Sequence, residues 1–205
     1  MNFWDQRYSQ PDFAYGKKPN EYLKSKLANL TPGRILFPAE GEGRNAVYAA
    51  KLGWEVFAFD SSIEGKKKAE RLALTNKVSI DYRVNSLEEV DYPTDYFDAI
   101  AFSYTHFPEA KRRIYHQKLS SYLKNEGLLI LECFSKKHIN YQKENPNAGG
   151  PKEVSMLFDL EEVKEDFKGF EFFEACETET ELSEGLYHVG KASVVRLFGK
   201  KKAIS

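Results

Sequence analysis

The chain has 205 residues with 30 basic and 31 acidic side chains, a formal charge of −1 and a mean hydropathy of −0.57. That length fits one domain of ~100–200 residues with a full-sized core, and 1–205 is read as a single domain. The charge balance excludes a broad nucleic-acid or acidic-lipid surface, either of which needs a marked basic excess.

In chain order, a short aromatic segment comes first, and Leu23, Leu27 and Leu30 then recur at the i, i+4, i+7 spacing of a helix face. Residues 1–30 are therefore read as a helical segment. Ile35, Leu36 and Phe37 predict a strand, and a loop with Gly41 and Gly43 follows. A helix of small residues (Ala46, Ala49, Ala50) leads to a second apolar run, Trp54 to Phe59, which ends at Asp60. Ser61 or Ser62 suits the cap of the next helix, which runs to about Thr75. Val78, Ile80 and Tyr82 alternate as a third strand, and Phe97 to Phe102 is apolar enough for a central fourth. Pro108 opens a helix bearing Tyr115, Leu119 and Tyr122, and a fifth strand spans Leu128 to Phe134.

Residues 135–157 form a polar stretch too long for a plain connector, as expected of a lid or active-site loop. Asp159 opens a helix (Leu160, Val163, Phe167) with Glu162 placed for a capping box. Phe170 to Leu182 and Leu186 to Phe198 read as a hairpin turning at Ser183-Glu184-Gly185. Alternating β and α elements ending in a hairpin predict an open α/β sheet with one reversed strand. The runs Lys66-Lys67-Lys68 and Lys200-Lys201-Lys202 read as a solvated helix face and a frayed end.

Only Cys133 and Cys176 are present, so no disulfide framework follows and a reducing, cytoplasmic setting is expected. The opening MNFWDQRYSQ lacks the basic and apolar regions of a signal peptide. No apolar run approaches the ~20 residues that span a bilayer, so neither membrane nor nucleic acid is expected as a partner.

Gly41-Glu42-Gly43-Arg44-Asn45-Ala46 satisfies the dinucleotide fingerprint G-x-G-x-x-A, and Asp60 is placed to accept hydrogen bonds from a ribose diol. A nucleoside-bearing cofactor is the resulting expectation. Glu40 and Glu42 flank Gly41, and carboxylates there would repel a pyrophosphate. S-adenosyl-L-methionine has adenosine, an ammonium and a sulfonium but no phosphate, so charge favours it over a nicotinamide dinucleotide. An NAD(P)-binding oxidoreductase is the alternative, and it would need a substrate domain for which this chain has no room.

The chain resembles the class I S-adenosylmethionine-dependent methyltransferases, and more narrowly the tellurite-resistance and thiopurine methyltransferase-like group. The resemblance rests on FWDQRY, YGKKPNEYL, AEGEGRNAVYAA, FAFDSS, YFDAIAFSYTHF, LKNEGLLILECF, the GGP at 149–151 and EGLYHVG. It implies a Rossmann-like, mostly parallel seven-stranded sheet in the order 3-2-1-4-5-7-6, with strand 7 antiparallel and helices on both faces. It places Glu40, Gly41 and Gly43 under the methionine part of the cofactor, and Asp60 at the ribose with Ser61 and Ser62 beside it. Asn85, Ser86 and Leu87 fall at the adenine, Phe102 and Ser103 line the methionine side, and Trp4, Tyr8, Tyr15 and Gly16 fold over the cofactor. The usual opening acid and first glycine of the family loop are replaced here by Phe37 and Ala39, and Asn85 stands where an Asp is more usual.

Methyl transfer needs alignment of the acceptor and exclusion of water, and a base only where the acceptor must lose a proton. His106 and Tyr104, at the end of strand 4, are the candidate bases by position. His188, in the last hairpin, reads as structural, and nothing singles out His116 or His138. No metal-ligand spacing is present. The expected enzyme methylates a small-molecule or oxyanion acceptor. A non-catalytic sensor of the same cofactor is a second alternative, and the oligomeric state stays open.

Overall fold

The structure is a computed structural model that describes residues 2–203; Met1, the first residue of the expected N-terminal cover, and Ile204 and Ser205 lie outside the described residues. Seven strands form one sheet: β1 Arg34–Pro38, β2 Glu55–Asp60, β3 Asp81–Val84, β4 Phe97–Ser103, β5 Leu123–Phe134, β6 Phe170–Glu184 and β7 His188–Lys201. Their order is β3-β2-β1-β4-β5-β7-β6. All the pairings up to β4–β5 are parallel, and β7 runs antiparallel to both β5 and β6, as the resemblance implied.

The helices are α1 Phe3–Tyr8, α2 Glu21–Leu27, α3 Arg44–Lys51, α4 Ile63–Thr75, α5 Glu109–Ser121, α6 His138–Glu144 and α7 Leu160–Asp166. Alternation along the central strands sends side chains to opposite faces and builds two apolar layers. Ile35, Phe37, Ala58, Ala99 and Ile130 pack against Leu23, Leu27, Ala46, Ala49 and Ala69 from α2, α3 and α4. Leu36, Phe59, Ile100, Phe102 and Leu131 face Tyr115, Leu119 and Val163 from α5 and α7. Small alanines on α3 and α4 let these helices lie close to the sheet near the loop of Gly41 and Gly43.

Several boundaries depart from the sequence reading. β3 begins at Asp81, because Val78 and Ile80 pack beside Val47 and Leu72 before the strand starts. β5 starts five residues early, with Leu123 paired to Phe97 across an irregularity. The hairpin turn falls at 185–187, so Glu184 ends β6 and His188 opens β7. Residues 135–157 are no open loop: they hold α6 and two short 3-10 turns, Pro146–Ala148 and Val154–Met156. Gln142 staples this segment by donating from Nε2 to the carbonyls of Gly149 (2.6 Å) and Pro151 (2.9 Å). Asp159 caps α7 as expected, but Glu162 reaches out to Arg112 and Lys136 instead of closing a capping box.

Candidate active site

The carboxyl ends of β1, β2, β3 and β4 meet at one edge of the sheet, where open α/β sheets bind ligands. Between β1 and α3 the chain takes left-handed backbone at Ala39 (φ 50°), Gly41 (φ 63°) and Gly43 (φ 83°). Ala39 thus adopts a conformation that favours glycine, at a cost of ~1–2 kcal/mol. At Gly43 a Cβ would stand 2.5 Å from the Ala69 Cβ, so α4 can approach the loop only because no side chain is there.

The two acids of the loop have separate tasks. Glu40 accepts from the backbone N–H groups of Asn45 and Ala46 through one oxygen (2.8 Å each), capping α3, which has no side-chain cap from Gly43. Burial pushes the carboxyl up to about 7, against those two N–H groups, the Arg44 charge and the Asn45 side chain. Glu42 turns inward instead. It pairs with Lys68 (2.8 Å) and accepts from the Ala14 N–H (2.8 Å). This corrects two expectations: Lys68 is buried and not part of a solvated face, and Glu42 has no free charge to offer a cofactor.

Asp60 is buried and accepts from the Gly41 N–H (3.0 Å) and the Ser62 N–H (2.9 Å), one on each oxygen, so it braces the loop it was expected to serve. Burial raises its pKa against those two bonds. Ser62 caps α4 by accepting from the Gly65 N–H, and its hydroxyl donates to Asp5 of α1 (2.6 Å). Tyr8 lies over Gly41, with its hydroxyl 2.6 Å from where a Cβ would be, and Trp4 stacks on Tyr8 (5.5 Å). Helix α1 therefore roofs the glycine loop. Ala39, Ser61 and Val84 stay exposed along the edge, and Asn85, Ser86 and Leu87 are half-buried beside them. Phe102 points into the core against His116 and Phe167, so only its backbone reaches the edge. Ser103 differs: its hydroxyl is buried and has no hydrogen-bond partner.

Past Ser103 the backbone turns left-handed at Tyr104 (φ 53°), an uncommon conformation for a bulky residue. Tyr104 is held there by its N–H on the Glu132 carbonyl, its hydroxyl on Glu132 Oε1 (2.8 Å) and stacking on Phe134 (4.5 Å). Burial raises its pKa well above the ordinary value. His106 donates from Nδ1 to the Met156 carbonyl (2.8 Å), which leaves Nε2 to accept from the Phe134 N–H (3.3 Å). Burial brings its pKa down to about 4, so it is neutral with both nitrogens occupied.

Tyr15 and Gly16 lie across from these residues, against the hairpin turn. Tyr15 accepts from Arg7 (3.0 Å) and contacts His188 (ring centroids 4.4 Å), and Gly16 packs on the backbone of Gly185. Beside them a cavity of about 430 Å³ opens between residues 15–22 and β6, floored by Glu132, Glu184 and Arg196. A buried polar network links it to the rest of the site. Asn20 donates from Nδ2 to Glu132 (2.6 Å) and Glu184 (3.2 Å), Arg196 donates to Glu132 (2.6 Å), and Arg44 donates to Glu184 (2.8 Å). The sequence reading passed over these residues. Their signal was one acid in LILECF and one base in VVRLF, a lone charge in each apolar strand, and the two are register partners.

Residues 35–127 match the family model of a methyltransferase domain. A search of the curated proteins finds no match. Among solved structures, one described under the conversion of a disulfide bond into a thioacetal group during echinomycin biosynthesis superposes with a TM-score of 0.78 at 16% identity, covering 98% of this chain and 92% of that one. TehB from Haemophilus influenzae gives 0.71 at 15% over 98% of this chain and 66% of its own. Magnesium protoporphyrin IX methyltransferase from Synechocystis with bound S-adenosylhomocysteine gives 0.66 at 15%, covering 89% and 82%. These likenesses concern the fold. The family match spans β1 to the early residues of β5 and takes in the glycine loop, so this part of the chain is similar to a methyltransferase domain.

Proposed function

We propose that the chain transfers a methyl group to a small-molecule acceptor held between residues 15–22, the end of β4 and the 135–157 segment. The observation that carries this reading is the buried Ser103 hydroxyl, left without a hydrogen-bond partner where β4 ends. A buried hydroxyl without a partner costs ~1–3 kcal/mol, which a bound polar ligand would recover. When bound, S-adenosylmethionine supplies an electrophilic methyl group on a sulfonium. In this reading Glu40 and Ser103 hold its amino-acid end, Gly41 and Gly43 admit it to the backbone, and Asp60, with Ser61 and Ser62, holds the ribose. Asn85, Ser86 and Leu87 flank the adenine. Trp4, Tyr8, Tyr15 and Gly16 close over it, with aromatic faces that attract a sulfonium by ~0.5–2 kcal/mol.

What this chain adds is alignment and dryness, the two largest needs of an in-line displacement. His106 and Tyr104 frame the acceptor as walls, since both His106 nitrogens are occupied and the Tyr104 hydroxyl proton is committed to Glu132. Residues 2–203 act as one domain with two covers. The resemblance to the tellurite-resistance group adds oxyanions to the acceptors worth testing. Cys133, buried as a free thiol, fits a cytoplasmic protein, and no described helix is long and apolar enough to cross a membrane. Incubation with methyl-labelled S-adenosylmethionine and a panel of thiols, tellurite, selenite and small carboxylates is expected to give acceptor-dependent label transfer. A folded protein that binds S-adenosylhomocysteine yet labels nothing across a broad metabolite extract would be a sensor.

A further inference from the structure

The cavity of about 430 Å³ between residues 15–22 and strands β6 and β7 has the size of a small-molecule site (~300–1,000 Å³). Its floor is polar and almost wholly buried: Asn20 (1% exposed), Glu132 (2%) and Glu184 (9%), with Arg196 reaching in from β7. Four charges meet at this floor, Glu132 with Arg196 and Glu184 with Arg44, and they cancel in pairs.

The hydrogen-bonding capacity of the floor is used unevenly. Every oxygen of the two acids already accepts, Glu132 from Asn20, Tyr104 and Arg196, and Glu184 from Asn20, Arg44 and His188. The donors are not all engaged. Arg196 gives Nε to Glu132 (2.6 Å) and Nη2 to Thr180 (3.3 Å), and of the five donors of a guanidinium both on Nη1 have no partner among the described residues. Its side chain is 23% exposed, which leaves it reachable from the cavity. The Tyr22 hydroxyl is buried without a partner, and the guanidinium lies 4.8 Å from the centre of the Tyr22 ring. Burial raises the Tyr22 pKa, so the phenol keeps its proton and stays a donor.

Unengaged donors around a permanent positive charge call for an anion, and the planar fork of a guanidinium matches a carboxylate. The ties to Glu132 and Thr180 fix the plane of that fork in advance, so little ordering remains for a ligand to impose. Phosphate fits less well, since its second charge would come to rest beside Glu132. The aromatic faces are taken: Arg196 and Lys26 lie over Tyr22, and the Tyr15 ring packs on Tyr187 and His188. The walls at Pro19 and Leu182 are aliphatic. Of the exposed charges at the mouth, Glu21 is paired with Lys24, which leaves Lys17 and Lys18 against Glu181.

We propose that this cavity binds a small aliphatic carboxylate, held by the Arg196 fork and the Tyr22 hydroxyl. Residues 15–22 also bound the acceptor space proposed above, so the carboxylate is the handle by which the methyl acceptor is held. That role rests on the methyltransferase reading; the binding does not, because neither anchor belongs to the glycine loop.

The test titrates hexanoate into the full chain, with and without S-adenosylhomocysteine, and follows the Arg196 Nε–H and the Tyr22 ring by nuclear magnetic resonance. Saturable shifts at both are expected in either state, with hexanamide, the neutral analogue, about tenfold weaker or more. Arg196→Lys keeps the charge and loses the fork, and is expected to weaken hexanoate about tenfold. That variant also disturbs Glu132, so Tyr22→Phe serves as the second. It should weaken hexanoate ~3–10-fold with no fall in melting temperature, since the hydroxyl has no partner to lose. Hexanamide that binds as well as hexanoate, or an Arg196 signal that does not move, overturns the proposal. Inorganic phosphate that displaces hexanoate at equal concentration does so too, because the floor would then be a general anion site. Mutual exclusion of hexanoate and S-adenosylhomocysteine overturns the acceptor role. A chain that does not bind S-adenosylhomocysteine at all overturns the methyltransferase reading and leaves the carboxylate site standing.

Discussion

Burial raises the Glu40 carboxyl from 4.5 to about 7, and in the proposed reading the cofactor's ammonium beside it favours the charged form. Binding is therefore linked to proton release. S-adenosylhomocysteine affinity is expected to fall up to tenfold per pH unit below about 7 and to level off above it. In the free protein the sign is opposite. A native pKa above the unfolded one stabilises the fold fully below about 4.5, and that stabilisation is lost as pH rises through about 7. Calorimetry in two buffers of different ionisation enthalpy reads the released proton directly. Glu40→Gln should remove the pH dependence, and a dependence that survives it would move the titration to another group. At this scale residue types were legible in the sequence and their partners were not. Asp60 and Ser62 stand where the motif put them, but nothing in the chain shows that Glu42 turns to Lys68 or that both His106 nitrogens are occupied. Such pairings join residues far apart in sequence, and only the packed fold decides them.

Among the elements, the hairpin turn and the N-terminal segment fit together through two glycines. Gly185 (φ 64°) lies against Gly16, a Cβ on it would stand 2.5 Å from the Ala14 carbonyl, and the Leu186 N–H donates to that carbonyl (2.8 Å). Gly185→Ala is expected to lift residues 14–16 off the turn while the sheet survives. Far-UV circular dichroism should hardly change, and a loss of ~1–2 kcal/mol should lower the melting temperature by ~2–8 °C. S-adenosylhomocysteine affinity should fall about tenfold or more, equivalent to ~1.4 kcal/mol or greater. Unchanged affinity would separate the N-terminal cover from cofactor binding. The elements legible in the sequence were those with long apolar patterns, the central strands and α4. Helix α6 was missed because HINYQKE is short and polar, and its docking rests on His138 and Gln142 and not on an apolar stripe.

For the whole molecule, the mostly parallel sheet fixes a rigid edge, and the N-terminal and 135–157 segments pack against it by polar contacts more than by apolar ones. Residues 2–16 are held by Asp5 to Ser62, by Ala14 to Glu42 and Leu186, and by Tyr8 on Gly41. The 135–157 segment is held by Ser135 on Ser193, by the Lys136 N–H on the Phe158 carbonyl, by His106 on the Met156 carbonyl, by the Ser193 N–H on His138 and by Asn145 on the Val189 carbonyl (2.7 Å). Segments with few buried contacts open at the low end of the free-energy scale. In the proposed reading a cofactor enters under α1 by lifting that roof, and the bound state then holds it shut. At a ligand concentration of ~100 Kd this adds ~2.7 kcal/mol to the opening, so amide exchange in residues 2–16 should slow ~100-fold when S-adenosylhomocysteine is added. The 135–157 segment should slow only a few-fold, because Gly149 packs on Tyr187 and His188 of the hairpin and not on the glycine loop. Hydrogen exchange with and without S-adenosylhomocysteine reads both segments at once. Slowing confined to residues 39–45 would mean that the cofactor reaches the loop past a fixed α1, and that the aromatic N-terminus is scaffold and not a lid.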